Sequence, residues 1–290
     1  MILANGVNLR CLDMPNEGKD TIVFIPCGGG TIGMWNGLIP YFKNDFRIVA
    51  LDMRCHGFSD RPEECHLDDM ANDIAAVMDV LEIEKAYIIG SSLGAEVALS
   101  LAANYSEKVI AMILDGAFYD IVGPDSKDQI VTEEAIAEAK SKLKEVILSR
   151  EIKEYDSKEE YIKADKEAWE KQYPWSEIVH IAAKDEIMET EDGKFRTNAD
   201  PNVTWRFIDP LYDVVFQDYF DKITCPILWL PDEAETPLEI VQKNLKKYAK
   251  NLKYHKIITL KNSVHAYTCM LNPEDFYKES MIFINEVKGL

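Results

Sequence analysis

The chain reads as an α/β protein: a mostly parallel sheet flanked by helices, interrupted late by a helical insertion. Three observations carry that reading. Short β-branched runs alternate with helical patterns through the first 117 residues, a charged helical stretch follows, and strand patterns then return. Such alternation favours a parallel sheet covered on both faces, and these sheets bind ligands beyond the carboxyl ends of their strands.

Taken in order, Met1 to Leu12 alternates around the turn Asn5-Gly6 and reads as one extended segment. Buried strands are expected at Thr21 to Pro26, Phe46 to Leu51, Ala86 to Ile89 and Val109 to Leu114, each a short apolar run between turn signals. Between them Met70, Ile74, Val77, Met78 and Leu81 recur at helical spacing, and Gly94 to Asn104 is a small-residue helix. After Ala117 the pattern is helical and charged. Thr132 caps a helix with Ile136, Ala139, Leu143, Val146 and Ile147 on one stripe. Ser157 with Glu160 reads as a capping box for a second helix through Trp169. Asp192-Gly193 marks a turn and Asp209-Pro210 a boundary. Strand patterns return at Ile227 to Leu230 and Tyr254 to Leu260, and Glu274 to Lys288 closes as a helix. The expected organisation is a core of residues 1–117 and 210–290 with a helical lid of residues 118–209.

Composition bounds the function. Of the 290 residues 47% are apolar and 29% charged, enough for a packed core. Basic residues number 32 against 51 acidic, and the net charge of −19 repels phosphate backbones and anionic lipid. No nucleic-acid partner and no membrane role are therefore expected. No apolar run approaches the roughly 20 residues that span a bilayer, and no basic-then-apolar signal pattern opens the chain. The six cysteines, at positions 11, 27, 55, 65, 225 and 269, lack CxxC spacing. Mostly reduced thiols in a reducing cytoplasm are expected rather than a disulfide framework. Cys55-His56 and Cys65-His66 invite a zinc reading, but no tight ligand pair brackets a turn, so no metal is expected.

Chemistry is carried by a few segments. Gly90-Ser91-Ser92-Leu93-Gly94 follows the strand AYII and opens a helix, a G-x-S-x-G elbow in strand–turn–helix context. A sharp turn exposes the Oγ of Ser92, and glycines two residues away on each side relieve the crowding. The Leu93 N–H then stands at a helix N-terminus, where an oxyanion would form. Pro26-Cys27-Gly28-Gly29-Gly30 leaves another strand, and as an oxyanion loop it supplies a second donor from Gly28. A phosphate loop is the competing idea, but no Gly-Lys-Ser/Thr follows. Asp52 to Asp60 (DMRCHGFSD) reads as a structural turn, with a buried charge pair or a metal-binding histidine as the alternatives.

The glycine-rich loop followed by Trp35, the D-x-R-x-H-G-x-S-D segment, the elbow and a C-terminal His265 together resemble the α/β-hydrolase superfamily. The resemblance covers residues 1–117 and 210–290, and matches the insertion only in placement. Its lid-bearing branch is similar to esterases, lactonases, carbon–carbon bond hydrolases and cofactor-free haloperoxidases. It implies Ser92 as nucleophile and His265 as its base, with Gly28 and Leu93 as oxyanion donors. It also implies a carboxylate after the strand Ile227 to Leu230. Counting from the strand start selects Glu235, and counting back from Pro237 selects Glu233; Asp115 and Asp232 stay open. Two departures stand out: Pro26-Cys27 replaces the usual His-Gly, and Glu96 sits in the first turn after the elbow. If Glu96 faces the pocket, it disfavours anionic substrates. A serine nucleophile excludes the aspartyl-ester branches.

The implied activity is cleavage of a small carboxylic ester or lactone through an acyl-enzyme, without cofactor. Substrate would lie between core and lid, among aromatics such as Trp35, Phe118, Tyr119 or the lid tryptophans. Residues 118–210 hold 14 basic and 23 acidic side chains, which favours an uncharged or weakly cationic small molecule. The same triad would serve a carbon–carbon bond hydrolase or an acyltransferase, and a hydrolase-like receptor with little turnover is the non-enzymatic rival. Homo-oligomerisation is left open.

Overall fold

Asn5 and Gly6 both take positive φ, 50° and 76°, and their turn folds β1 (Ile2–Ala4) antiparallel onto β2 (Val7–Leu9). The chain breaks at Arg10, and β3 (Cys11–Met14) leaves for a different sheet. The single extended segment expected at the start is therefore split between two sheets. The computed structural model describes every residue except 117–119, 125 and 127.

The main sheet continues with β4 (Thr21–Ile25), β5 (Arg47–Leu51), β6 (Ala86–Ser91) and β7 (Val109–Asp115). The insertion contributes its own hairpin, β8 (Ile187–Glu189) and β9 (Phe195–Thr197), before β10 (Ile227–Leu230) and β11 (His255–Ile257) complete the main sheet. Its seven strands lie in the order β11-β10-β7-β6-β4-β5-β3, all neighbours parallel except β3 on β5. β4, β6 and β10 are buried at every residue, as strands covered on both faces must be. Period-2 alternation divides β4 between two cores: Val23 and Ile25 join one, Ile22 and Phe24 the other. The fold is the expected α/β arrangement.

Helices α1 (Ile39–Phe42), α2 (Leu67–Val80) and α3 (Leu93–Asn104) belong to the first half. The insertion carries α4 (Glu133–Leu148), α5 (Lys158–Trp169), α6 (Glu177–Asp185) and α7 (Pro201–Ile208). Then come α8 (Phe216–Phe220), α9 (Glu239–Ala249), α10 (Thr268–Leu271) and α11 (Pro273–Lys288). The Thr132 and Ser157 hydroxyls accept from the N–H groups of Ala135 and Glu160, as N-caps do. Glu160 reaches back to the N–H of Asp156 instead of Ser157, so the box closes one residue early. The insertion is not wholly helical, because β8 and β9 pair antiparallel around Asp192-Gly193. α7 also runs on into a 3-10 turn over Asp209–Asp213, so the helical path crosses Asp209-Pro210 unbroken.

Specific contacts join the insertion to the sheet side. Asp185, at the end of α6, accepts from Gly33 N–H at 2.9 Å and from both terminal nitrogens of Arg10 at 3.0 and 2.5 Å. Phe207 of α7 stacks on His56 with ring centroids 4.4 Å apart. Arg61 donates to the carbonyl of Asn198 at 2.6 Å, and Arg206 donates to the carbonyl of Arg61 at 3.0 Å.

The Asp52 segment is a turn built on its own side chains. Asp52 accepts from the N–H groups of Ile32 and Phe58, and Ser59 Oγ donates to the Asp52 carbonyl. Arg54 and Asp73 form a buried bidentate pair at 2.7 and 2.6 Å. Most of the cysteines are free thiols, as expected, with one exception. This loop brings the Cα atoms of Cys55 and Cys65 to 6.8 Å and the two form a disulfide, while Cys11, Cys27, Cys225 and Cys269 are free. Among the described residues no helix is long and apolar enough to cross a membrane.

Candidate active site

Ser92 stands directly after β6 with φ 50° and ψ −119°, a conformation that a non-glycine residue holds only when its surroundings enforce it. The enforcement is steric. A Cβ at Gly90 would lie 2.5 Å from the Gly94 carbonyl oxygen, and one at Gly94 would lie 2.3 Å from that of Ile25. Only glycine at both positions lets β6, the turn and α3 pack so closely. The turn leaves Ser92 half-buried, its Oγ 2.8 Å from His265 Nε2.

His265 lies beyond β11 in the segment leading to α10, and its Nδ1 is 3.1 Å from Glu235 Oε1. Glu235 follows β10 and is buried, with Oε2 accepting from Asp232 N–H at 3.4 Å. Asp232 shapes that loop by accepting from the N–H groups of Ala234 and Glu235. Glu233 turns elsewhere, accepting from Asn262 N–H at 2.7 Å. Asp115, at the end of β7, is fully buried; it accepts from Ser91 Oγ and is hydrogen-bonded to Thr268 Oγ1, each at 3.0 Å. Of the four candidate carboxylates, Glu235 is the one in hydrogen-bond contact with the imidazole. Hydrogen bonding to Glu235 raises the pKa of His265 against the opposing effect of burial.

Leu93 is the first residue of α3, where an N–H has no intrahelical acceptor. Gly28 adjoins it: a Cβ there would lie 3.6 Å from Leu93 Cδ2 and 3.5 Å from Phe207 Cε2 of the insertion. The two oxyanion candidates are thus neighbours, Leu93 following Ser92 directly. Trp35 is fully buried in the core against Phe24. Trp169 of the insertion instead packs 5.0 Å from Tyr267, two residues beyond His265. Phe118 and Tyr119 lie outside the described residues.

Several titratable groups near these segments are shifted. Burial raises Glu96 to about 7, with His265 pulling the other way. Burial raises Glu186 to about 8, reinforced by Asp165 and Asp185. Burial raises the Cys27 thiol to about 12, with Glu186 and Asp115 adding to the shift, so it stays protonated. Glu186, Ser91 and Thr268 were not singled out from sequence. Nothing distinguishes Glu186 among the acidic residues of the insertion, whereas Ser91 and Thr268 adjoin motif residues. A cavity of about 550 Å³ in the insertion is lined in part by Tyr161, Asp165 and Thr197; Ser92 is not in its wall. Asp232, Glu235 and His265 each offer an atom within a 4.8 Å cluster. Asp232 Oδ1 already serves two N–H groups and His265 Nδ1 faces Glu235, so the cluster is a hydrogen-bonded one.

The chain is similar to proteins whose names describe hydrolysis. Over 118 residues it is 33% identical to 3-oxoadipate enol-lactonase 1 of Acinetobacter baylyi, covering 41% of each chain. Over 121 residues it is 26% identical to 2-hydroxy-6-oxo-2,4-heptadienoate hydrolase of Pseudomonas putida, covering 40% of this chain and 44% of that one. The matches therefore span about two fifths of the relatives' length. The crystal structure of E-2-(acetamidomethylene)succinate hydrolase superposes with a TM-score of 0.75 at 17% identity, covering 97% of this chain and 96% of that one, a likeness of fold. A family model described as the alpha/beta hydrolase fold matches residues 20–164, half of the sequence. With its sheet order and its serine elbow, the chain belongs to the α/β-hydrolase family.

Proposed function

We propose that the protein is a serine hydrolase that cleaves a small carboxylic ester or lactone through an acyl-enzyme on Ser92. The observation that carries this reading is the relay from Ser92 Oγ to His265 Nε2 at 2.8 Å and from His265 Nδ1 to Glu235 at 3.1 Å. With Nδ1–H donating to the carboxylate, Nε2 is the free base that accepts the serine proton. Oγ attacks the substrate carbonyl carbon, and the oxyanion is met by the N–H groups of Gly28 and Leu93. Collapse of that intermediate breaks the C–O bond, and the departing alkoxide takes the proton from His265. Water, deprotonated in turn by His265, then releases the acid and restores Ser92.

Residues 118–209 act in this reading as a lid, since Phe207 reaches the Gly28 side of the serine. The acidic balance of the insertion favours an uncharged or weakly cationic substrate. A carboxylate on His265 supports a working triad over a non-catalytic receptor. The test is a panel of p-nitrophenyl esters, simple lactones and vinylogous 1,5-diketones, run on wild type and Ser92→Ala. Ester or lactone turnover that vanishes in Ser92→Ala is expected. Turnover retained by that variant contradicts the mechanism, and cleavage of the diketones alone would move the reading to carbon–carbon bond hydrolysis.

A further inference from the structure

Asp115 is a buried carboxyl that the proposed reaction does not use, yet it stands between the two segments that must meet. On one side Ser91 Oγ donates to Asp115 Oδ2 at 3.0 Å, and the Asp115 carbonyl accepts from Ser92 N–H at 2.9 Å. On the other side Thr268 Oγ1 lies 3.0 Å from Asp115 Oδ1 and 3.3 Å from the carbonyl of Val264. Ser91 immediately precedes Ser92, and Val264 immediately precedes His265. All three side chains, Ser91, Asp115 and Thr268, are completely buried. The next residue, Gly116, has φ 124°, and a Cβ there would lie 3.3 Å from His265 Cε1.

Hydrogen counting favours one protonation state. Thr268 carries a single hydroxyl hydrogen but faces two acceptors, Asp115 Oδ1 and the Val264 carbonyl. A proton on Asp115 Oδ1 resolves this. Ser91 donates to Oδ2, Oδ1–H donates to Thr268, and Thr268 donates to Val264, so every hydrogen runs in one direction.

We propose that Asp115 is a positioning residue: a neutral carboxyl strut that ties the serine elbow to the segment bearing His265 and so sets the Oγ to Nε2 distance. Burial agrees, raising the carboxyl to about 7 against the hydrogen bonds from Ser91 and Thr268. The charged groups it faces are His265, which favours its ionisation, and Glu235, which opposes it. The thiols of Cys27 and Cys269 also feel its charge, and burial raises both of them. Were Asp115 ionised it would stabilise the imidazolium of His265, so a neutral carboxyl leaves that stabilisation to Glu235.

This inference rests on the Ser92 reading, and the experiment separates the two. Labelling rates with a fluorophosphonate, in which Oγ displaces fluoride from phosphorus, are measured from pH 5 to 9 for wild type, Asp115→Asn, Asp115→Ala and Thr268→Val. Circular dichroism checks that each variant is folded. The histidine nitrogens are titrated by NMR in parallel. Asparagine can accept from Ser91 and donate to Thr268 but cannot ionise. Asp115→Asn therefore retains more rate than Asp115→Ala and leaves the ascending limb, and the His265 titration, near their wild-type pH. Asp115→Ala and Thr268→Val lose positioning and slow labelling, by up to about 10²-fold for misplaced reacting groups. Thr268→Val supplies the test should Asp115→Ala fail to fold. Wild-type rates in both of those variants overturn the strut. A loss in Asp115→Asn as deep as that in Glu235→Gln overturns it too, making Asp115 the triad acid. If wild type takes no label, the Ser92 reading fails by itself; the His265 titration then decides, and a shift to lower pH in Asp115→Asn shows an ionised Asp115 and overturns the neutral strut, whereas an unchanged titration supports it.

Discussion

An imidazole can accept a proton at Nε2 only while Nδ1 keeps its own, and a carboxylate at Nδ1 secures that arrangement. Glu235 holds this place in the structure, while Glu233 is engaged with Asn262. Glu235→Gln is expected to lower kcat on a p-nitrophenyl ester by about 10³- to 10⁴-fold, the scale known for such acids. Glu233→Gln should leave kcat near wild type, and the opposite ranking would move the acid. Steric limits at the elbow are as sharp: Gly94→Ala places a methyl 2.3 Å from the Ile25 carbonyl, and lost stability is expected in a urea titration. At this scale much was legible in the sequence. A G-x-S-x-G turn is enforced by neighbours along the chain, and a residue just beyond a strand is placed by where that strand ends. Glu186 and the Cys55–Cys65 pairing were not legible, because both depend on how distant segments come together.

Elements differ in how much their own sequence dictates. β4, β6 and β10 are runs of apolar residues with few alternatives, and each was expected within a residue or two of where it lies. β8 and β9 are three residues each, too short for a period to declare itself against a charged, helix-like background. The first segment misled for a different reason, because the break at Arg10 answers to partners far along the chain. Arg10 binds Asp185 of α6, and Asp185 also holds Gly33 N–H, so one carboxylate fastens the insertion to two core segments. Asp185→Ala should weaken this attachment by about 1.5 kcal/mol, the low end for charged hydrogen bonds because the pair is partly exposed. Faster tryptic cleavage within residues 118–209 and a raised KM are the expected readouts. Unchanged proteolysis would show that the remaining contacts, such as His56 on Phe207, carry the attachment.

For the whole molecule, net charge and buried carboxyls make stability depend on pH. Glu96 and Asp115 are raised to about 7 and Glu186 to about 8, in each case chiefly by burial. A carboxyl whose folded pKa lies above its unfolded value binds its proton more tightly when folded. Its contribution is complete below the unfolded pKa and is lost as pH rises through the folded one. The Tm is therefore expected to fall between about pH 5 and 8, and Glu186→Gln to flatten that fall. A Tm that rises over this range would contradict the burial of these groups. The net charge of −19 works in the same direction, since ionising more carboxyls adds to self-repulsion. Composition therefore says which way stability moves with pH, but the groups responsible emerge only once the insertion is folded over the sheet.

The central claim is that Ser92 is an activated nucleophile, and intact-mass labelling with a fluorophosphonate tests it without knowledge of the substrate. Wild type should gain one adduct, lost in Ser92→Ala and slowed in Glu235→Gln. An unlabelled wild type, or an adduct that survives Ser92→Ala, would contradict the account.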